Sequence, residues 1–436
     1  MDHKPLPIGI ENFEKMIKNG YYYIDKTLFI KELIDKKGEV NLFTRPRRFG
    51  KSLTMSMLRY FFEKSGNSGD LFNGLNISYA GEKYMSEMNK YPVISLTLKS
   101  AGQRDYKSSF LKLKQLIIRE LKRHKYLLES ANIDDIDKSI YINLLTGKVD
   151  DIDYSGTLSF LSDCLHQHHG EKVIILIDEY DVPLEKAYFN GYYDEMIDFL
   201  RAFYNEGLKT NESLYFAVMT GCLRVSRESI FTGFNNPKII TIMSNAYGEY
   251  FGFVDGEVME ALNYYGLDDK IDEARKWYNG YVFGETNVYN PWSVINYLCD
   301  KYEKKNSYPR PHWSNTSSND IIRELINIAG YETKEEIEAL IRGESITKPI
   351  HEDVVYGEIK NNMDNLWNFL FFTGYLRKTG ESMKDIYIYY TLAIPNLEIL
   401  YIYKRKIKEW FEEKIKSHDF NKMHEAVLNA DTQTFQ

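Results

Sequence analysis

The chain has 436 residues, with 55 Lys and Arg against 63 Asp and Glu and a formal net charge of −8. That length allows two or three globular parts with substantial cores, and the acidic balance argues against a surface coated for nucleic acid. Cys164, Cys222 and Cys299 are odd in number and widely spaced, which fits reduced thiols in a cytoplasmic protein better than a disulfide or metal framework. The N-terminus reads as lacking a signal peptide, and no apolar run is long enough for a bilayer, so no membrane association is expected.

Taken in chain order, Tyr21–Thr27 leads into an amphipathic helix through Leu28, Ile30 and Leu33. Val40–Thr44 then reads as a short strand, followed by the basic loop Arg45-Pro46-Arg47-Arg48-Phe49 and by Gly50-Lys51-Ser52-Leu53 at the start of a helix. Leu53, Met57, Leu58, Phe61 and Phe62 give that helix an apolar face. A strand, a tight loop and Gly-Lys-Ser opening a helix form a phosphate cradle: backbone N–H groups and the helix dipole face the anion. Lys51 would reach the outer phosphates and Ser52 would ligate Mg²⁺. Arg45 stands where the usual motif has its first glycine. Read alone, the segment also fits an ordinary helix N-terminus after a turn.

Val93–Leu98 reads as another strand, and Tyr106, Phe110, Leu113, Ile117 and Leu121 as the stripe of a helix. Asp150–Asp153 suggests an acidic surface loop, and His166–His169 a polar helix end rather than a metal site. Val173–Ile177 is a continuous apolar run closed by Asp178-Glu179. Such a run suits a strand buried on both faces, with its carboxylates at the end where ligands bind. Asp178 would hold Mg²⁺ and Glu179 would polarise the attacking water; Asp181 either supports that corner or caps the next turn. Met196, Ile197, Leu200 and Phe203 mark a helix that Gly207 is expected to stop. The strand Leu214–Gly221 ends in Thr220, placed to sense the terminal phosphate or merely to satisfy a turn. Arg224 could approach the nucleotide in cis or lie on the surface. Ile239–Met243 is a last strand. This alternation implies an α/β fold, a mostly parallel sheet with helices on both faces.

From about residue 250 the pattern becomes mainly helical. Trp277–Gly284 and Tyr289–Ser293 are aromatic and turn-rich, and read as core more readily than as a base-stacking platform. A polar loop spans 306–319. A hairpin is expected to pair Gly374–Leu376 with Ile386–Tyr390, and Asn396–Ser417 reads as a charged helix.

Together, Tyr23–Thr27, Arg45–Ser52, Ile177–Asp181, Thr220-Gly221, Ser229–Asn236, Tyr250–Phe253, Trp277–Tyr281, Tyr289–Ser293 and Ile394–Asn396 stand in the order of the bacterial AAA-ATPase-like family, which this chain resembles over nearly its whole length. The resemblance implies a P-loop ATPase of the additional-strand type, with a strand between the Walker A and Walker B strands. It also implies ATP as the nucleotide, Arg45 as usual in the loop, and a winged-helix-like region after the core. On this basis residues 1–250 form the ATPase part, 251–395 the helical part, and 396–436 a linker. Family members commonly continue into a PD-(D/E)XK nuclease-like domain. Here Gly357-Glu358-Ile359-Lys360 has a Glu-x-Lys tripeptide without a preceding aspartate-bearing strand, so no nuclease activity is assigned. The expected function is Mg²⁺-dependent ATP hydrolysis, using Arg45–Leu53 for the nucleotide, Ser52 and Asp178 for the metal, and Glu179, Thr220 and Arg224 for catalysis. A slow nucleotide switch and a nucleic-acid-binding module of a nuclease system are the alternatives. The client and the oligomeric state are left open.

Overall fold

The computed structural model describes residues 3–64, 68–150, 154–224, 237–315, 331–352 and 363–417. In chain order the first part runs α1 (Phe13–Lys18), α2 (Leu28–Lys36), β1 (Val40–Thr44), α3 (Lys51–Phe62), α4 (Glu82–Met85), β2 (Val93–Thr97), α5 (Tyr106–Arg123) and α6 (Asp135–Thr146). It continues through α7 (Thr157–His169), β3 (Val173–Asp178), α8 (Val182–Asn190), α9 (Tyr193–Leu208), β4 (Leu214–Gly221) and β5 (Lys238–Ile240). These strands form one parallel sheet in the order β2-β3-β4-β1-β5.

The strands that carry the two motifs, β1 and β3, are therefore not neighbours: β4 lies between them and pairs with both. Every residue of β1 and β3 is buried. Their apolar runs do not alternate because helices flank the sheet, and each fully buried Ile or Leu is stabilised by roughly 1.5–3 kcal/mol. Helix α3 packs across β2, β3 and β4, which fixes its N-terminus over the C-terminal ends of the strands.

The remaining elements are α10 (Asp255–Tyr264), α11 (Ile271–Tyr278), the hairpin β6 (Tyr281–Phe283) and β7 (Thr286–Val288), and α12 (Pro291–Glu303). After these come α13 (Tyr331–Arg342), β8 (Ile346–Pro349), α14 (Met363–Phe372), β9 (Arg377–Lys384), β10 (Tyr387–Ala393) and α15 (Leu397–Ser417). Residues Val258–Leu298 contain a core of their own, centred on Leu262, Tyr278 and Leu298. Trp367, Leu370 and Tyr403, in contrast, join the core that runs through the parallel sheet.

Two sequence expectations are corrected. Gly207 does not stop α9; it lies inside the helix, and a Cβ there would come within 2.6 Å of Leu158 on α7. Glycine serves close helix packing at this point, not termination. The hairpin is also displaced: its first strand is Arg377–Lys384, while Tyr375 and Leu376 are buried and their N–H groups bond the Leu370 carbonyl at the end of α14. The apolar residues belong to the helix terminus, and the polar run that follows forms an edge strand with a wet face. Ser229–Asn236, Gly357–Lys360 and the expected end of the chain beyond Ser417 lie outside the described residues.

Candidate functional site

The loop between β1 and α3 begins by continuing the sheet. The Arg45 N–H donates to the Gly221 carbonyl at 3.0 Å, one bond beyond the last residue of β1. Strand alternation then sends the Arg45 side chain to the same face as Phe43. Both contact Phe251, the Phe43 ring at 5.4 Å and the Arg45 guanidinium at 5.3 Å. Arg45 is fully buried and donates to the carbonyls of Thr44 and Ile240. Burial lowers its pKa to about 9. Its side chain is thus part of the core beneath the loop. This corrects the sequence expectation that Arg45 holds the nucleotide; only its carbonyl faces the site.

Beyond Pro46, which lies against Gly374, the unbroken run Arg47–Leu53 lines a cleft of about 310 Å³. Gly50, at φ 81°, is the residue before α3 and has open space where a Cβ would be. Glycine is needed there for its left-handed backbone, which costs other residues about 1–2 kcal/mol. Arg48 (φ 69°) and Glu179 (φ 56°) accept that cost, and both line the cleft. Such strain is typical of functional sites.

The polar and charged groups converge from the ends of β3 and β4 and from the first turn of α3. Lys51 Nζ donates to the carbonyls of Arg45 and Pro46, each at 3.0 Å, and lies 3.7 Å from Cys222 Sγ. Ser52 Oγ donates to Asp178 Oδ2 at 2.7 Å, and Thr220 Oγ1 donates to Asp178 Oδ1 at 2.6 Å. Thr220 is fully buried and does not line the cleft, so it orients Asp178. Glu179 lines the cleft, and burial raises its pKa. Asp181 is buried, accepts the N–H groups of Cys222 and Leu223, and has its pKa raised to about 6 by desolvation. It anchors the end of β4 to the turn after β3. Arg224 is ion-paired with Glu352 at 2.9 Å and is not among the cleft residues.

Several partners of the loop were not assigned to the site from the sequence. Glu185 on α8 takes a two-oxygen ion pair from Arg47 at 2.7 and 2.8 Å. Trp292 on α12 lies 4.4 Å below the Arg48 guanidinium, and Asn290 Nδ2 donates to the Arg47 carbonyl at 3.5 Å. Phe49 packs edge-on to Tyr281 at 5.0 Å. The aromatic segments Trp277–Gly284 and Tyr289–Ser293 contribute buried core residues, as read from the sequence, and are also seated on the loop between β1 and α3; aromatic content alone does not say which surface a ring covers.

Among the described residues no cluster of three or more His, Cys, Asp and Glu side chains is arranged to hold a metal, and no helix is long and apolar enough to cross a membrane. The histidines at the end of α7 bond Ser213, Ser130 and Tyr126. An uncharacterised protein from the vnfD 5′ region of Azotobacter chroococcum mcd 1 is 31% identical over 331 residues, which are 75% of this chain and 57% of that protein. The chain thus spans little more than half the length of this relative. Residues 7–231, which include the strap before α1, the loop, β3 and β4, match the family model described as a predicted AAA-ATPase, and the chain belongs to this AAA-ATPase-like family.

Proposed function

We propose that the chain binds a nucleoside triphosphate, preferentially ATP, together with Mg²⁺, and hydrolyses it. The observation that carries this reading is the 2.7 Å bond between Ser52 and Asp178. It joins a helix N-terminal hydroxyl to a strand-end carboxylate beneath a basic loop. Two hard oxygen donors at this position fit Mg²⁺, which is held by few protein ligands and completes its shell with phosphate and water. Bound there, the ion would neutralise charge developing on the β- and γ-phosphate oxygens.

The protein groups have separable tasks. Lys51 is held by two loop carbonyls, and phosphate oxygens would replace those carbonyls as its acceptors. Backbone N–H groups at Gly50–Ser52 would receive the phosphates at the α3 dipole. Thr220 keeps Asp178 in one orientation. Glu179, held at positive φ in a desolvated corner, would orient the attacking water. Positioning and charge stabilisation supply most of the rate, because phosphoryl transfer asks little covalent chemistry of a protein.

Nucleotide state would reach the C-terminal part through Arg47 and Arg48, since one contacts Glu185 and Asn290 and the other Trp292. Among the described residues, the order α13-β8-α14-β9-β10, with the antiparallel sheet β8-β10-β9, supports a winged-helix-like unit within residues 251–395. Helix α14, which precedes the wing, has Leu366, Trp367, Phe369, Leu370, Phe371 and Phe372 buried. A helix covered on so much of its surface is not available to a nucleic-acid groove. This favours a packing role over sequence reading.

The test is Mg²⁺-dependent ATP hydrolysis and binding by wild type, Lys51→Ala and Glu179→Gln. Lys51→Ala is expected to lose turnover by at least about 100-fold. Glu179→Gln should bind ATP yet turn over at a similarly reduced rate; unchanged turnover would remove Glu179 from its role. Tight binding without turnover in the wild type would select the switch.

A further inference from the structure

The strap that precedes α1 is a loosely secured wall of the cleft. None of residues 3–12 is buried. Its first end is tied to the C-terminal part. The Lys4 N–H donates to Tyr264 Oη at 3.0 Å, Tyr265 Oη donates to the Lys4 carbonyl at 2.7 Å, and Leu6 packs on the core around Leu262. Its other end runs into α1, where Asn12 caps the helix and Phe13 is buried. Between these anchors Pro7, Gly9, Ile10 and Glu11 line the cleft. The Ile8 and Ile10 N–H groups bond only within the strap. Among the described residues, residues 7–11 reach the rest of the molecule by one hydrogen-bonded ion pair, Glu11 with Lys99 at 2.5 Å.

Lys99 stands two residues past β2. The Leu98 N–H donates to the Asp178 carbonyl at 2.9 Å, so Lys99 leaves the sheet beside Glu179, and both line the cleft. We propose that Glu11–Lys99 is an autoinhibitory latch, an inference that rests on the nucleotide reading above and adds its regulation. The pair holds the strap over the cleft, and the outer phosphates of an incoming nucleotide release the strap by taking Lys99 from Glu11.

The pair is one that phosphate can break. Both side chains are 51% exposed, so water screens their attraction and the tie contributes little. A terminal phosphate carries more negative charge than a carboxylate and presents three acceptor oxygens. Seated at Lys51, it would also repel Glu11. Lys26, on the same cleft, shows the contrasting case: at 12% exposure it donates to Glu257 and to the Glu249 carbonyl, each at 2.7 Å. Breaking such a buried pair is costly, so that tie persists. Gly9, at φ 73° with open space where a Cβ would be, lets the strap bend between its anchors. Because the first anchor is Tyr264 and Tyr265, release would signal to the C-terminal part by a route separate from Arg47 and Arg48.

The experiment follows mant-ATP binding by the full chain, and hydrogen exchange of the strap amides, in wild type, Glu11→Gln, Lys99→Met and the double variant. Without nucleotide, the strap should exchange faster in all three variants than in wild type, and alike among them, since each breaks the same pair. ATP with Mg²⁺ should raise strap exchange in the wild type. Glu11→Gln should bind mant-ATP about threefold more tightly. That gain should vanish in the Lys99→Met background, whereas a plain charge effect of Glu11 would persist or grow there. Strap exchange that ATP slows, or that Glu11→Gln leaves unchanged, would overturn the latch and leave the nucleotide reading standing. An affinity gain that is absent, or that survives in Lys99→Met, would do the same. A wild type that binds no mant-ATP would overturn both.

Discussion

At one end of the cleft, the unbroken run Arg47–Thr54 supplies the lining; at the other, the wall is gathered from Pro7, Gly9, Ile10, Tyr22–Ile24, Phe253 and Ile295, which lie far apart in the chain. The proposed phosphate end presents backbone amides and charges on a strained loop, where Arg48 and Glu179 both hold positive φ. The far end works by apolar surface held through side chain-to-backbone ties such as Tyr265 to Lys4. A charged ligand group needs several dipoles aimed at one point, and a short contiguous loop delivers that. An apolar enclosure needs surfaces on several sides, and only distant segments can supply them.

The contrast can be broken most strongly at Asp178, which holds both Ser52 and Thr220. Asp178→Asn should lower turnover by roughly 10³-fold, about 4 kcal/mol of transition-state stabilisation. Steady-state hydrolysis with titrated Mg²⁺ checks it, and recovery at high Mg²⁺ would mean that Asp178 acts only through ion affinity.

The next largest effect belongs to the far end. Lys26 and Glu257 form a mostly buried pair, with side-chain exposures of 12% and 22%. Glu257→Gln leaves the Lys26 ammonium without its counter-charge and should cost about 3 kcal/mol of stability. Denaturant unfolding measures this, and Lys26→Met/Glu257→Leu should restore most of the loss. A single variant as stable as wild type would show that the Glu249 carbonyl is a sufficient partner.

The smallest effect concerns the frame behind Trp292. Glu398 on α15 is fully buried, accepts from Ser293 Oγ and the Trp313 N–H, and has its pKa raised to about 7 by desolvation. A raised folded pKa favours the protonated form, so this contribution is complete below the ordinary value of 4.5 and is lost as pH rises through about 7. Between about pH 5.5 and pH 7 the loss should approach 2 kcal/mol. Glu398→Gln should flatten that part of the stability-against-pH curve measured by thermal unfolding; an unchanged slope would assign it to another group.

Much of the site was legible because phosphate chemistry is written in neighbouring residues. Gly50-Lys51-Ser52 and Asp178-Glu179 stand where their strands and helix end, and the structure places them around one point. Arg45 was misread because a loop sequence does not reveal that its first residue still follows sheet alternation. Arg224 could not be placed from the sequence, because its closeness to Thr220 says nothing about the ion pair with Glu352. The hairpin slipped because Tyr375 and Leu376 are as apolar as strand residues, and only their bonds to Leu370 assign them to a helix end.

The sequence by itself determined the local units: buried strands from unbroken apolar runs, amphipathic helices from their period, and the Gly50-Lys51-Ser52 turn into α3 from residues in direct succession. Each depends on interactions within a few residues, so a linear reading captures it. Tertiary structure alone decided that β4 separates β1 from β3, that Thr220 turns toward Asp178, that Trp292 lies under Arg48, and that the strap at Pro7–Ile10 walls the same cleft as Ile295. Those pairings follow from packing between segments up to hundreds of residues apart, where the free energy of the whole core, not any local preference, selects the neighbour.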